Sequence, residues 1–326
     1  MEKNKLVTGI GAALVDILAR QSEEFLRGID AQKGGMALVD EEVINLLIGR
    51  TTSEPVVVPG GSACNTIIGI ARLGGSTRFV GKLGEDDYGR LFESELKRSN
   101  VSPYLVKSSS ATGRVLSLIT PDAQRTLFTF LGASSESIAE EIIDNSFRGS
   151  ALVQIEGYLI FNKDLIEAAL SAAKKANALI SFDLASYTVV EEFKPILHHI
   201  VDEYVDILIA NEDEARAFTG FSDEIKAINA LSEMSDLAVL KVGARGSYIA
   251  KGGEIIKIEP FGSGGIIDTT GAGDLWAAGF LFGLVNGYPL EKCGMLGSVC
   301  GYEVCQVVGA HIPDEVWPGI IRILEE

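Results

Sequence analysis

The chain has 326 residues, which at roughly 150 per domain suggests two domains or one large α/β domain with an appendage. Its formal charge of −17 argues against a nucleic-acid or anionic-membrane partner, because no global positive field offsets phosphate repulsion. A small anionic substrate held by local dipoles or a metal stays compatible with that charge. Cys64, Cys293, Cys300 and Cys305 form no C-x-x-C pair and there are three histidines, which argues against a zinc site. The start of the chain shows no apolar core of signal-peptide length, and the longest apolar run, 275–285, falls short of the ~20 residues a membrane span needs. The expectation is a cytoplasmic protein in a reducing compartment.

In chain order, short β-like runs alternate with amphipathic helical stretches, which predicts an α/β fold with a largely parallel sheet. Strands are predicted at 6–10, 78–80, 151–155, 179–183, 207–209 and 237–242. Helices are predicted at 63–73, 91–98, 164–175 and 212–218, with two apolar ones at 271–285 and 290–304. Two stretches break the alternation. Runs at 36–40 and 56–58 flank a helix, and runs at 113–120 and 126–130 flank the turn Pro121-Asp122-Ala123-Gln124, a β-hairpin pattern. These pieces are expected to form a small sheet over a cleft. The predicted division is a main α/β body over 1–30, 60–104 and 131–326, with an inserted β lid over 31–59 and 105–130.

Two phosphate motifs fail on inspection. Gly9-Ile10-Gly11-Ala12-Ala13-Leu14 begins like G-x-G-x-x-G but ends in leucine, and Gly81-Lys82 is followed by Leu83, with Ser76 where a P-loop needs its first glycine. The strongest signal is Asp268-Thr269-Thr270-Gly271-Ala272-Gly273-Asp274, leading into an apolar helix. Helix N-termini present unpaired N–H groups and partial positive charge, and small residues let an anion approach them. Gly271, Ala272 and Gly273 are thus a candidate anion hole, with Asp274 placed to accept a hydroxyl proton. Taken alone, the segment reads more readily as a tight turn with a favourable first-turn charge. A second cluster, Gly60-Gly61-Ser62-Ala63-Cys64-Asn65, reads either as backbone donors and an amide for a polyol or as a βα turn with Ser62 as N-cap.

Together these segments resemble the ribokinase-like (PfkB) family of carbohydrate and nucleoside kinases. Gly60 to Asn65 with Gly74 and Gly84 is similar to its first signature, and residues 268–281 fit its second. Asn211-Glu212-Asp213-Glu214 resembles its N-x-x-E motif, and Val242-Gly243-Ala244-Arg245-Gly246 its nucleotide-side glycine loop. The resemblance implies a three-layer αβα sandwich with a central, mostly parallel sheet and a β lid that closes on ligands. It implies ATP and Mg²⁺ in the cleft, Asp274 as base for a primary hydroxyl, and Gly271, Ala272 and Gly273 around the transferring phosphoryl group. Asp16, Gly60, Gly61 and Asn65 would bind substrate, and Asn211, Gly243 and Gly246 would line ATP. Glu214 and Asn211 would organise Mg²⁺ through water, and Asp268 is a candidate site for a monovalent cation such as K⁺. The partner would be a small nucleoside or sugar, with no nucleic acid and no membrane, and the assembly a monomer or homodimer. A non-catalytic sensor of the same fold is the competing class, against which the intact Asp274, anion hole and Glu214 speak. A sugar-phosphate kinase would need cations near Asp16, for which the lid offers Lys33 and Arg125.

Two expectations go beyond motif matching. Helix-N-terminal placement should hold the Asp274 pKa low. Lys241 stands two positions before Gly243, where the family usually has a small hydroxyl residue, and can compensate with charge. For the acceptor, segments 11–17, 112–127 and 182–208 look more like adenosine kinases than ribokinases, and Leu14, Met36, Leu38 and Phe130 could line an apolar slot for a base. The same residues could instead pack the lid, and a sugar kinase of the ribose or fructose type is the alternative.

Overall fold

The computed structural model describes residues 5–29, 33–122, 124–142 and 145–323. Ala123 of the expected hairpin turn and residues 30–32, at the expected body–lid boundary, lie outside the described residues. In chain order the strands are β1 (Val7–Ile10), β2 (Leu14–Arg20), β3 (Met36–Leu38), β4 (Val56–Gly60), β5 (Thr77–Gly84), β6 (Val101–Ser108) and β7 (Gly113–Ile119). They continue as β8 (Arg125–Phe130), β9 (Leu152–Glu156), β10 (Leu179–Asp183), β11 (Ile207–Asn211), β12 (Leu237–Lys241), β13 (Ser247–Lys251) and β14 (Glu254–Ile258).

Nine strands form one sheet in the order β14-β13-β12-β11-β10-β9-β1-β5-β6, parallel from β12 to β6 and closed at one edge by the antiparallel β13 and β14. Its inner strands read as continuous apolar runs because both faces are covered. Ile207, Ile209, Leu237 and Val239 pack on one face with the helices Ser62–Arg72, Ala272–Val285 and Leu290–Val304. Their neighbours Leu208, Ala210, Ala238 and Leu240 pack on the other with Lys163–Lys175, Tyr187–Tyr204 and Glu212–Thr219. This is the largely parallel α/β sheet the sequence pattern predicts, in the three-layer arrangement the family resemblance implies.

A second, five-stranded sheet runs β3-β8-β7-β2-β4. Its membership corrects the expected boundaries at two points. Leu14–Arg20, expected in the main body, is β2, an inner strand paired parallel to β7 and antiparallel to the edge strand β4. Conversely β6, of which residues 105–108 were expected in the lid, pairs parallel with β5 along its whole length in the large sheet. β6 runs on through the expected junction at 104/105, whereas β2 joins the small sheet well before the expected boundary near residue 30.

Candidate active site

Parallel sheets present their loops, and hence their ligand sites, at the carboxyl ends of the strands. Here four consecutive strands end on polar or charged residues: Glu156 closes β9, Asp183 β10, Asn211 β11 and Lys241 β12. Glu156 and Asp183 are directly opposite in register, as are Asn211 and Lys241. These ends face the turn that starts the helix Ala272–Val285.

That turn has the shape an anion site needs. Gly271 takes φ +73° and caps the helix, with Ala310 so close that a Cβ would stand 2.5 Å from the alanine Cβ. Gly273 has open surroundings except for the Lys241 ammonium, 3.1 Å from where its Cβ would be. The first-turn N–H groups of this helix lack intrahelical acceptors. Asp274 follows in the same turn. Its Oδ1 accepts from the Ser62 hydroxyl (2.7 Å) and its Oδ2 from the Asn65 amide (2.9 Å), while Thr66 Oγ1 donates to its backbone carbonyl (3.1 Å). Two predicted site segments more than two hundred residues apart therefore meet side chain to side chain.

The expectation of a low Asp274 pKa is overturned. Burial raises it, and the hydrogen bonds from Asn65 and Ser62 offset only part of that rise. The Asp183 charge adds to the rise and the Lys241 charge opposes it. The Ser62 N-cap reading is also corrected: Gly61, at φ +94°, is the cap residue, which frees the Ser62 hydroxyl for Asp274.

Asp16 sits in β2 with 8% of its surface exposed, and burial followed by the Asp274 charge raises its pKa to about 7. Gly60 is glycine because a Cβ would overlap the Asp16 carboxylate, at 2.3 Å. Gly61 is glycine because of its left-handed φ and because a Cβ would stand 2.5 Å from the Ala12 carbonyl. Asn65 spends its amide on Asp274 and leaves Oδ1 buried without a hydrogen-bond partner, an acceptor open to a ligand hydroxyl.

Asn211 and Glu214 form a capping box. The Asn211 Oδ1 accepts from the Glu214 N–H (2.9 Å), and the Glu214 carboxylate accepts from the Asn211 N–H (2.7 Å) and Nδ2 (2.6 Å). Glu214 is buried, so a solvated helix face does not explain it, and its pKa is raised by burial and by Asp183. In the loop before β13, Gly246 is required by φ +92° and by the Ile258 carbonyl, whereas Gly243, at φ +55°, faces open space. Asp268 is almost fully buried and accepts from the Thr270 N–H (3.0 Å) and hydroxyl and from the Gly309 N–H (2.8 Å). Arg125 of β8 reaches across to it, Nε to Oδ1 at 3.2 Å, and also bonds the Thr270 hydroxyl. Lys33 is instead taken by Glu23 and Asp122, both at 2.7 Å.

Two residues of this site carry no motif signal. Glu156 is 2% exposed and accepts from the N–H of Ala12 (2.9 Å) and of Ala63 (3.0 Å), tying the β1–β2 turn to the start of the Ser62 helix. Burial raises its pKa to about 7. Asp183 binds Lys241 (3.0 Å) and the Ala185 N–H (2.9 Å), holding Ala185 at φ +65°.

The model of the pfkB family of carbohydrate kinases matches residues 45–317. The chain belongs to that family. As a pfkB kinase it transfers phosphate from ATP to an acceptor. It is 32% identical to adenosine kinase from Sinorhizobium meliloti, with a TM-score of 0.87 over 94% of this chain and 96% of that one. It is 30% identical over 276 residues to a nucleoside kinase of Methanocaldococcus jannaschii, covering 82% of this chain and 85% of the relative. It is 28% identical over 282 residues to a 5-dehydro-2-deoxygluconokinase of Bacillus licheniformis, again covering 82% and 85%. Among the described residues, no helix of this pfkB kinase is long and apolar enough to cross a membrane.

Proposed function

We propose that this pfkB kinase phosphorylates the primary hydroxyl of a nucleoside, of the adenosine type, with ATP and Mg²⁺. The observation that carries the chemistry is the pairing of Asp274 with Ser62 and Asn65 at the first turn of the helix behind Gly271, Ala272 and Gly273. The acceptor hydroxyl oxygen bonds the γ-phosphorus as the bond to the bridging oxygen breaks, and the electron pair leaves with ADP. The hydroxyl proton passes to Asp274, whose raised pKa suits a base better than an ordinary carboxylate would. The amides of Gly271 and Gly273 would hold the phosphoryl oxygens, that of Ala272 being given to the Thr269 carbonyl (3.2 Å), and positioning is most of what such a transfer requires.

Mg²⁺ fits the donor set. Glu214 and Asn211, at the buried carboxyl end of β11, offer hard oxygen donors in a site with surplus negative charge. Among the described residues no three carboxylates converge on one point, so the ion would be held through water and phosphate oxygens. Bound there, it supplies charge neutralisation to the β- and γ-phosphates. Asp268 does not fit the part of a K⁺ ligand, because Thr270, Gly309 and Arg125 engage its carboxylate.

The acceptor reading rests on the small sheet, proposed here as the lid. Strand register puts Met36 beside Leu127 and Leu38 beside Thr129, on the face from which Arg125 reaches Thr270. Asp16 stands opposite Val115 on that same face. A polar ribose site at Asp16 thus shares its face of the sheet with an apolar strip on β3, beyond β7 and β8, with Met36 57% and Leu38 63% exposed and ready to cover a base. Phe130 is excluded from that strip: it alternates to the opposite face, where Arg114 lies over its ring at 5.1 Å. Comparison of kcat/KM for adenosine, ribose and fructose tests the reading, since a buried base should favour adenosine by at least ~10²-fold. A higher value for either sugar would overturn it.

A further inference from the structure

Lys241 is a buried cation with a surplus of acidic neighbours. It ends β12, its side chain is 14% exposed, and its ammonium lies 3.0 Å from Asp183 Oδ2. The carboxylates of Asp183, Glu214 and Asp274 all act on it. An ammonium has three donors, and the structure gives one of them to Asp183. Its position is the informative feature. It lies 3.1 Å from the place a Cβ on Gly273 would occupy, over the second residue of the helix Ala272–Val285. The absent side chain at Gly273 therefore opens a gap with helix amides on one side and an ammonium on the other. Arg125, the other cation near this turn, is held by Asp268 and Thr270.

We propose that Lys241 is a further catalytic residue, whose ammonium contacts the transferring phosphoryl group across Gly273 while Asp183 keeps it in place. Lys241 takes no proton and forms no bond. It contributes fixed positive charge where the γ-phosphoryl oxygens gather negative charge, in a site otherwise dominated by carboxylates. The inference rests on residues 271–273 being the phosphoryl-binding turn. A merely structural lysine would neutralise Asp183 and do nothing more.

The two roles separate in a double-variant comparison of Lys241→Met, Asp183→Asn and the pair together. Lys241→Met should lower kcat by ~10²-fold, the usual loss for one oxyanion donor, and the pair should stay ~10²-fold below Asp183→Asn alone. Return of the pair to the Asp183→Asn rate would show that Lys241 only neutralises its partner, and would overturn the proposal. Affinity for inorganic triphosphate with Mg²⁺, measured by calorimetry on variants shown to unfold cooperatively, gives a readout independent of turnover. Lys241→Met should weaken it at least ~10-fold and Lys241→Arg much less. Equal affinity in wild type and Lys241→Met would also overturn the proposal. A wild-type protein that binds triphosphate but phosphorylates no nucleoside would defeat the acceptor reading instead, leaving the triphosphate comparison to decide on Lys241.

Discussion

In the large sheet, neighbouring residues of β9 to β12 are buried on both faces, so the polar ends Glu156, Asp183, Asn211 and Lys241 project from strands that cannot shift without opening a core. In the small sheet the cover runs out toward one edge: β2 and β7 are buried along almost their whole length, while β3 is exposed. Phe128, Leu116 and Leu118 pack with Ile44 and Leu47 of the helix Glu41–Arg50, while Met36 and Leu38 across the sheet are left bare. The difference assigns the two halves of the task to different physics. Phosphoryl transfer needs charges fixed to within a fraction of an ångström, which a doubly covered sheet gives. Recognition of a large acceptor needs apolar surface that stays uncovered until the ligand arrives, which a half-covered sheet gives.

Perturbing the large-sheet side should cost the most. Asp274→Asn should lower kcat by ~10²–10⁴ while leaving ATP binding and folding largely intact. Near-normal turnover in that variant would remove Asp274 from the mechanism and collapse the division. Glu214→Gln comes next. Loss of a carboxylate that acts on Mg²⁺ through water should raise the Mg²⁺ needed for half-maximal rate by ~10-fold or more, read from rate against Mg²⁺ at fixed ATP. An unchanged curve would reduce Glu214 to the capping partner of Asn211.

The smallest effect is on stability. Asp16 and Glu156 have pKa values of about 7 in the folded state, well above their unfolded values. The folded protein therefore holds protons that the unfolded chain has released, and this stabilisation is complete below about pH 4 and lost as pH rises through about 7. His311, whose pKa burial lowers, acts in the opposite sense, one group against several. Melting temperature of the ligand-free protein should fall by several °C between pH 5 and pH 7.5, and Glu156→Gln should flatten the slope. A melting temperature that rises across that window would contradict the buried-carboxylate picture.

How much of this was legible in the sequence follows from how local each feature is. The turn at Gly271 to Asp274 and the capping box Asn211–Glu214 are contiguous and announce themselves. Glu156 gives no such sign, because the N–H groups it binds belong to Ala12 and Ala63, far off in the chain. The helix Tyr187–Tyr204 was not anticipated: Pro195 lies inside it and Phe193 departs from helical geometry at φ −111°, which breaks the period. The hairpin of β13 and β14 carries a local turn signal, Gly252-Gly253, but its flanking residues Ser247–Lys251 and Glu254–Ile258 do not alternate strictly. The strand β2 was missed because its burial is nearly continuous, hiding the alternation that marks a half-covered sheet.

The division between a fixed reacting sheet and a half-bare recognising sheet is tested most directly by crossing two variants with two acceptors. The measurement is kcat/KM for adenosine and for ribose in wild type, in Asp274→Asn and in Met36→Ser/Leu38→Ser. Asp274→Asn should depress both acceptors by a similar factor. The lid variant should depress adenosine by ~10-fold or more through lost apolar contact and leave ribose nearly unchanged. Equal losses for both acceptors in the lid variant would contradict the account, since the apolar strip would then pack the lid and not the base.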